Sequence, residues 1–168
     1  MEQTIVRIDA LAAGGDAVGR APDGRVVFVP LAAPGDRVSV RIWQERARFL
    51  RGRVEELLEP GSARSDPLCP VFGRCGGCAW QHVRYEVQRE AKSRILGDAL
   101  ARIGGFEADG PIPVLASPSR YAYRGRTRVR VEAGRVGYRH RGSNALCPVS
   151  SCPVLVPELD TRLRGLAA

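Results

Sequence analysis

The sequence lacks two kinds of segment that would place the chain in or across a membrane. No apolar run reaches the length needed to span a bilayer, and the polar start, Met1 to Thr4, is not followed by the apolar core of a signal peptide. We therefore expect a cytoplasmic protein without a membrane partner. In that reducing compartment, disulfides between the five cysteines are not expected.

Aromatic residues and lysine are also scarce. The 168 residues include ten Phe, Trp or Tyr, and Lys92 is the only lysine. So few aromatic side chains predict modest cores, in one medium domain or two small ones. The preference for arginine over lysine fits a GC-rich genome and has no functional meaning by itself.

Positive charge, in contrast, is abundant and clustered. The formal net charge is +8, yet up to Pro60 nine arginines balance nine acidic residues. From Gly61 onward 17 Lys or Arg face nine acidic residues, and Arg120–Arg141 contains eight arginines with one acid, Glu132. A genome-wide bias would spread arginines evenly, so this patch predicts a polyanionic partner, which we take to be RNA.

The cysteines follow an unusual spacing. Cys69, Cys75 and Cys78 lie within one loop, and Cys152 follows far downstream. Thiolates bind iron–sulfur clusters or zinc, but structural zinc usually takes its ligands as two close pairs, so the spacing favours a cluster. Cys147 precedes a proline as Cys152 does, which leaves the fourth ligand open between them.

Two neighbours of the loop cysteines bear on this site. Gly76 and Gly77 have no side chains, so their amides are free to turn toward a sulfur atom and tune a cluster. His82 follows shortly after, and we interpret it as a packed neighbour rather than a ligand.

The order of strand and helix patterns predicts a mainly β protein with one or two helices. Five short strands, at 4–8, 17–19, 26–30, 38–42 and 50–57, are separated by Gly and Pro turns and predict a small OB-like barrel. An amphipathic helix ends at Gly104 and Gly105, with Val87 and Ala91 on its apolar face. The predicted division is 1–59 for the barrel, 60–104 for the cysteine loop and helix, and 105–168 for an antiparallel β central domain with the fourth cysteine.

The arginine patch is predicted to be a strand. In Tyr121–Val131 arginines occupy every even position from 124 to 130, which would expose them in a row every ~6.6 Å and bury the odd positions. A turn at Glu132–Arg135 would lead to a return strand with more arginines. A solvated strand face is the alternative, but so many arginines without acids favour RNA phosphate contacts. The candidate RNA-binding residues are Arg124, Arg126, Arg128, Arg130, Arg139 and Arg141.

The first segment resembles a TRAM domain, an RNA-binding barrel attached to RNA-modifying enzymes. The resemblance rests on Gly19-Arg20, Val27–Pro30, Pro34–Asp36 and Arg51–Val54. Together with the cysteine loop, the helix and the stretch from Gly137 to Cys152-Pro-Val-Leu, the chain resembles the amino-terminal part of RNA uracil-5-methyltransferases. The likeness is to the bacterial iron–sulfur branch that makes 5-methyluridine in 23S ribosomal RNA.

This resemblance implies a [4Fe–4S] cluster and a ribosomal RNA partner. Its ligands would be Cys69, Cys75, Cys78 and Cys152, and Cys147 has no family role. The family's S-adenosylmethionine site, nucleophilic cysteine and base belong to a carboxy-terminal domain that these residues do not include. No glycine-rich loop of the dinucleotide type stands between a strand and a helix.

We therefore expect no catalytic residues here and no activity from this chain alone. The alternative is a self-standing RNA-binding module with zinc or a cluster and no enzymatic activity. A radical S-adenosylmethionine enzyme is disfavoured, because its C-x3-C-x2-C motif is absent.

Overall fold

The computed structural model describes residues 3–167, which form two compact units. The barrel unit contains the chain up to Asp66 together with His82–Leu115, and the cysteine unit contains Pro67–Gln81 and the chain from Ala116 onward. The predicted segment 60–104 therefore contributes to both units. Within the described residues no helix is long and apolar enough to cross a membrane.

Five strands of the barrel unit close into a barrel, as predicted. The barrel order is β1-β2-β3-β5-β4, and β1 pairs with β4 to close it. All pairings are antiparallel except that of β3 with β5. This is an OB-like arrangement. The strands are β1 (Gln3–Leu11), β2 (Ala17–Arg20), β3 (Val26–Val29), β4 (Arg37–Glu45) and β5 (Phe49–Glu59).

Alternation and glycine placement explain this barrel. On β1, Val6 and Ile8 are buried, whereas Ile5, the residue before Val6, is 52% exposed. This alternation is typical of a strand with one buried face. Gly52 is required on β5, because a Cβ atom there would lie 2.2 Å from Val40 Cγ1. A Cβ atom on Gly19 of β2 would lie equally close to the carbonyl oxygen of Arg7.

The long helix α1 (Tyr85–Gly104) also belongs to the barrel unit, and its end is where the sequence predicts it. Gly105 adopts the left-handed conformation, with φ of 63°, and its amide donates to the Leu100 carbonyl. Ala91 is buried on its apolar face. Two side chains of α1 hold the following segment along the helix: Ser93 donates to the Ile112 carbonyl at 2.5 Å, and Arg89 donates to the Val114 carbonyl at 2.7 Å.

The cysteine unit contains a three-stranded antiparallel sheet and one helix. Strands β6 (Arg130–Glu132), β7 (Arg135–Arg139) and β8 (Leu146–Pro148) lie in that order, and α2 (Pro157–Ala167) follows. The predicted turn between β6 and β7 is confirmed. Ala133 and Gly134 have positive φ values of 49° and 73°, as a two-residue hairpin turn requires. A small core lies between the sheet and α2, formed by Val136, Val149, Leu155 and Leu163.

The predicted strand over Tyr121–Val131 is wrong for most of its length. Only its last two residues belong to β6, and the odd positions do not form a buried face, since Tyr123 is 53% and Val131 67% exposed. The physical reason is the lack of a pairing partner. Both edges of β7 are occupied, by β6 and β8, and 121–129 pairs at one bridge, Arg124 with Leu155. The arginines therefore do not stand in a regular row.

Candidate functional site

Four of the five cysteines line one cavity in the cysteine unit. Cys69, Cys75 and Cys78 come from the loop before Gln81, and Cys152 comes from the segment that follows β8. Apolar side chains complete much of the wall, namely Val71, Phe72, Val149 and Val154. The fold thus brings the four predicted ligands together across more than 70 residues of sequence.

Cys147 does not belong to this lining. It lies on β8 opposite Tyr138 and is only 2% exposed. Burial raises the pKa of Cys75, and repulsion from the Cys147 sulfur adds slightly to this shift, but Cys152 and not Cys147 lines the cavity. All five thiols are free.

The cysteine loop is held against the end of β7 by backbone hydrogen bonds. The Gly76 amide donates to the Arg139 carbonyl at 2.9 Å, and the Arg141 amide donates to the Arg74 carbonyl at 2.7 Å. A Cβ atom on Gly76 would lie 3.3 Å from the Arg139 oxygen, so glycine permits this close approach. Of the two predicted glycine amides, only that of Gly77 points to sulfur, 3.4 Å from Cys75 Sγ.

Polar groups next to the cavity hold the backbone of two cysteines. Gln81 Oε1 accepts from the Cys69 amide at 3.2 Å, and Asp160 Oδ1 accepts from the Cys152 amide at 2.6 Å. Burial opposes ionisation of Asp160, but the Cys152 amide and Arg164 outweigh it and lower the pKa of that carboxyl group. Asp160 is therefore an anion in the first turn of α2, where the helix dipole also favours a negative charge.

The thiols have the chemistry of a soft-metal site. Burial raises the pKa of the Cys69 thiol, and the nearby Cys152 and Cys78 sulfurs add to this effect. Burial likewise raises the pKa of Cys75, while the Gly77 amide opposes the shift. A bound cation would displace these protons, because thiolates are the ligands.

The arrangement of the thiols is not that of a single-ion site. Among residues 3–167, no three His, Cys, Asp or Glu side chains converge closely enough to hold one metal ion. Four thiols spread around a mainly apolar cavity nevertheless match, by donor type and number, the ligand set of an iron–sulfur cluster.

His82 belongs to the barrel unit and not to this cavity. Its ring is buried, and Nε2 lies 2.9 Å from the Ala32 carbonyl oxygen. This confirms its interpretation as a packed, hydrogen-bonded residue.

The six candidate arginines fall into different environments of the cysteine unit. Arg124 lines the cysteine cavity, and the Arg141 guanidinium donates to the Cys78 carbonyl at 3.0 Å. Arg126 and Arg128 are exposed and form no ion pair with any residue in 3–167. The remaining two are partly engaged: Arg130 pairs with Glu132 at 2.5 Å, and Arg139 donates to the Asn144 side chain at 2.5 Å.

An open cleft of about 560 Å³ adjoins the cysteine loop. Gly76, Gly77, Arg139 and Asn144 line it. Gly77 and Tyr138 line both this cleft and the cysteine cavity.

Known proteins resemble this chain both in the barrel and over most of its length. The TRAM domain family model matches residues 3–54, which form most of the barrel. An uncharacterized RNA methyltransferase of Thermosynechococcus vestitus is 40% identical, over 96% of this chain and 36% of the relative. The 23S rRNA (uracil(1939)-C(5))-methyltransferase RlmD of Halomonas elongata is also 40% identical, over 95% of this chain and 34% of the relative. The chain is homologous to RNA uracil-C5 methyltransferases over about one third of their length.

A solved structure agrees with this homology. The tRNA (uracil-54, C5)-methyltransferase of Pyrococcus abyssi, crystallised with S-adenosyl-L-homocysteine, superposes with a TM-score of 0.62 at 25% identity. The match covers 95% of this chain and 34% of that protein. The chain therefore spans about one third of the length of the curated relatives it matches.

The TRAM barrel presents an aromatic cluster that sequence reasoning missed. The rings of Phe28 and Phe49 pack edge to face, 5.8 Å apart, and the Arg51 guanidinium lies 5.3 Å from the Phe28 ring centre. The period-two spacing of Phe49 and Arg51 on β5 was the available signal, because it puts both on one strand face. Tyr138 and Asp160 beside the cysteines gave no sequence signal, since only the fold brings them there.

Proposed function

We propose that this chain is the RNA-binding and [4Fe–4S]-binding amino-terminal part of an S-adenosylmethionine-dependent RNA uracil-C5 methyltransferase, acting in the cytoplasm on 23S ribosomal RNA. The methyl donor would bind to a catalytic domain outside these residues. The observation that supports this proposal most is the meeting of four cysteines at one cavity, in a chain homologous to such enzymes.

RNA binding is divided between the two units. The first 60 residues are charge-balanced, so the TRAM barrel contributes orientation and local contacts rather than long-range attraction. The excess positive charge belongs to the rest of the chain, where Arg126 and Arg128 are available for phosphate contacts. Binding should accordingly depend strongly on salt concentration.

Cys69, Cys75, Cys78 and Cys152 would hold the cluster. When bound, it supplies iron–thiolate bonds that join the loop to a distant segment and so act on folding. The residues of the chain prepare the site: Gly77 donates to the Cys75 sulfur, while Gln81 and Asp160 fix the backbone of Cys69 and Cys152. Hydrogen bonds to sulfur and the apolar wall are the usual determinants of a cluster's potential.

The second candidate is a self-standing RNA-binding module with zinc in place of the cluster. Thiolates bind zinc as well as iron, so ligand type alone does not separate the two, although the lack of three converging ligands among residues 3–167 argues against a single zinc ion. Metal analysis of anaerobically purified protein separates the two. The proposal expects about four iron atoms per chain, a brown colour and absorbance at about 400 nm. One zinc per chain without colour would support the module instead, and absence of both metals would refute both proposals for the cavity.

A further inference from the structure

The arginine segment, which we define as residues 124–129, is attached to the protein without being part of a sheet. At its start the Arg124 amide donates to the Val154 carbonyl at 2.8 Å, and the Val156 amide donates to the Arg124 carbonyl at 3.1 Å. Three residues later, Thr127 Oγ1 lies 3.0 Å from the Tyr138 hydroxyl. The segment therefore takes its position from a few discrete contacts.

These contacts lead to the surroundings of Cys152. Val154 lines the cysteine cavity, and the Leu155 amide donates to the Cys152 carbonyl at 3.0 Å. The Ala122 amide adds a bond to the Pro153 carbonyl at 2.9 Å. Hydrogen bonds of the adjacent backbone thus connect Cys152 to the start of the arginine segment.

Tyr138 makes a second connection. It lines the cysteine cavity together with Cys152. Its hydroxyl forms the hydrogen bond with Thr127, so this one side chain joins the cavity wall to the arginine segment. Residues that surround the ligands of a metal site commonly tune metal retention.

We propose, on the basis of the function proposed above, that Thr127 and Tyr138 form a positioning pair through which the filled cysteine site orders the arginine segment. Arg126 and Arg128, which stand on either side of Thr127, are presented to RNA phosphates only when this pair is intact. Because coupling between two binding sites is reciprocal, RNA and the cluster then strengthen each other's binding.

Two single-hydroxyl substitutions test the pair. Thr127→Val changes an exposed residue with little effect on volume, and Tyr138→Phe keeps the ring that lines the cavity. Thr161→Val is the matched control, because Thr161 is also exposed in the cysteine unit and its hydroxyl donates to the Pro157 carbonyl at 2.9 Å. The measurements are the rate of iron release to a colour-forming chelator and the affinity for fluorescein-labelled oligouridylate.

We expect Thr127→Val and Tyr138→Phe each to release iron about tenfold faster than wild type and to bind oligouridylate severalfold more weakly. The double variant should be no worse than either single variant, because both remove the same hydrogen bond. Oligouridylate should slow iron release from wild type but not from Thr127→Val. Thr161→Val should behave as wild type in every measurement.

The outcomes separate this inference from the proposed function. If wild type holds no iron or does not bind oligouridylate, the proposed function fails and this inference fails with it. If wild type does both and Thr127→Val matches Thr161→Val, the positioning pair is refuted and the proposed function stands. Weaker RNA binding with unchanged iron release would also refute the pair. If Tyr138→Phe does not fold, Thr127→Val decides alone.

Discussion

At the residue scale, Asp36 connects the barrel to the chain that leaves it. Its carboxylate is fully buried and accepts hydrogen bonds from the Ala33 amide at 2.7 Å and the Gly61 amide at 2.8 Å. The Arg64 guanidinium pairs with it at 2.8 Å. Gly61 fits only as glycine here, because a Cβ atom would lie 2.5 Å from the Pro34 carbonyl oxygen.

We expect Asp36→Ala to lower the free energy of unfolding by about 3 kcal/mol, since it leaves two amides and a partly buried guanidinium without their acceptor. Urea denaturation followed by circular dichroism measures the loss. Asp9→Ala is the control, because Asp9 is exposed on the same barrel, and it should change stability by less than about 0.5 kcal/mol. Equal effects of the two substitutions would contradict this role for Asp36.

A second residue-scale prediction concerns the fourth ligand. Cys152→Ser should cost most of the bound iron and much of the soluble yield, because Cys152 lines the cavity and links it to the segment before α2. Cys147→Ser should keep an iron content near wild type, since Cys147 stands outside the cavity wall. Iron analysis of anaerobically purified variants provides the comparison. Equal loss in both would mean that the fourth ligand is misassigned.

At the scale of elements, the structural prediction for the arginine segment is wrong, while the RNA-binding prediction for it stays a prediction. The alternating pattern predicted a strand, but before Arg130 the residues pair at only one isolated bridge, that of Arg124 with Leu155. Strand formation depends on pairing, which is a property of the neighbours and not of the segment. Arg126 and Arg128 are nevertheless exposed, as the RNA-binding prediction requires.

We expect the double substitution of Arg126 and Arg128 by Gln to weaken binding of single-stranded RNA about equally across sequences. The slope of log K against log salt should flatten by about one to two units, because each phosphate neutralised on a single strand contributes about 0.7. Fluorescence anisotropy titrations at several salt concentrations measure both quantities.

The control for the Arg126 and Arg128 double substitution makes the same change in net charge at another site. Arg7 and Arg53 are exposed on the TRAM barrel, and their joint substitution by Gln should leave the salt slope close to that of wild type. If both double variants lose the same amount, binding follows net charge alone and the arginine segment has no special part in it.

At the scale of the whole molecule, the sequence shows no glycine-rich loop of the dinucleotide type, and the chain spans about one third of the length of the relatives it matches. We expect this chain alone to transfer no label from S-adenosylmethionine to uridine in ribosomal RNA fragments. The assay uses anaerobically purified protein, with the Halomonas elongata relative as positive control. Label in uridine above a no-protein blank would overturn this prediction.

Local patterns alone determined much of this protein. The five barrel strands, the end of α1 at Gly104 and the β6–β7 turn follow from alternation, glycine and turn chemistry, which act over a few residues. The grouping of Cys69, Cys75 and Cys78 was likewise visible, because ligand spacing within one loop is a short-range property. The likeness to a TRAM domain rested on such local signals too.

Tertiary structure alone decided the features that depend on distant segments. Cys152 rather than Cys147 reaches the cavity because β8 fixes Cys147 in the sheet and the chain turns toward α2 only afterwards. The neighbours of the site, Tyr138 and Asp160, and the buried pair of Asp36 with Arg64 arise from packing between remote residues. No periodicity encodes such contacts, because their partners are brought together only when the chain folds.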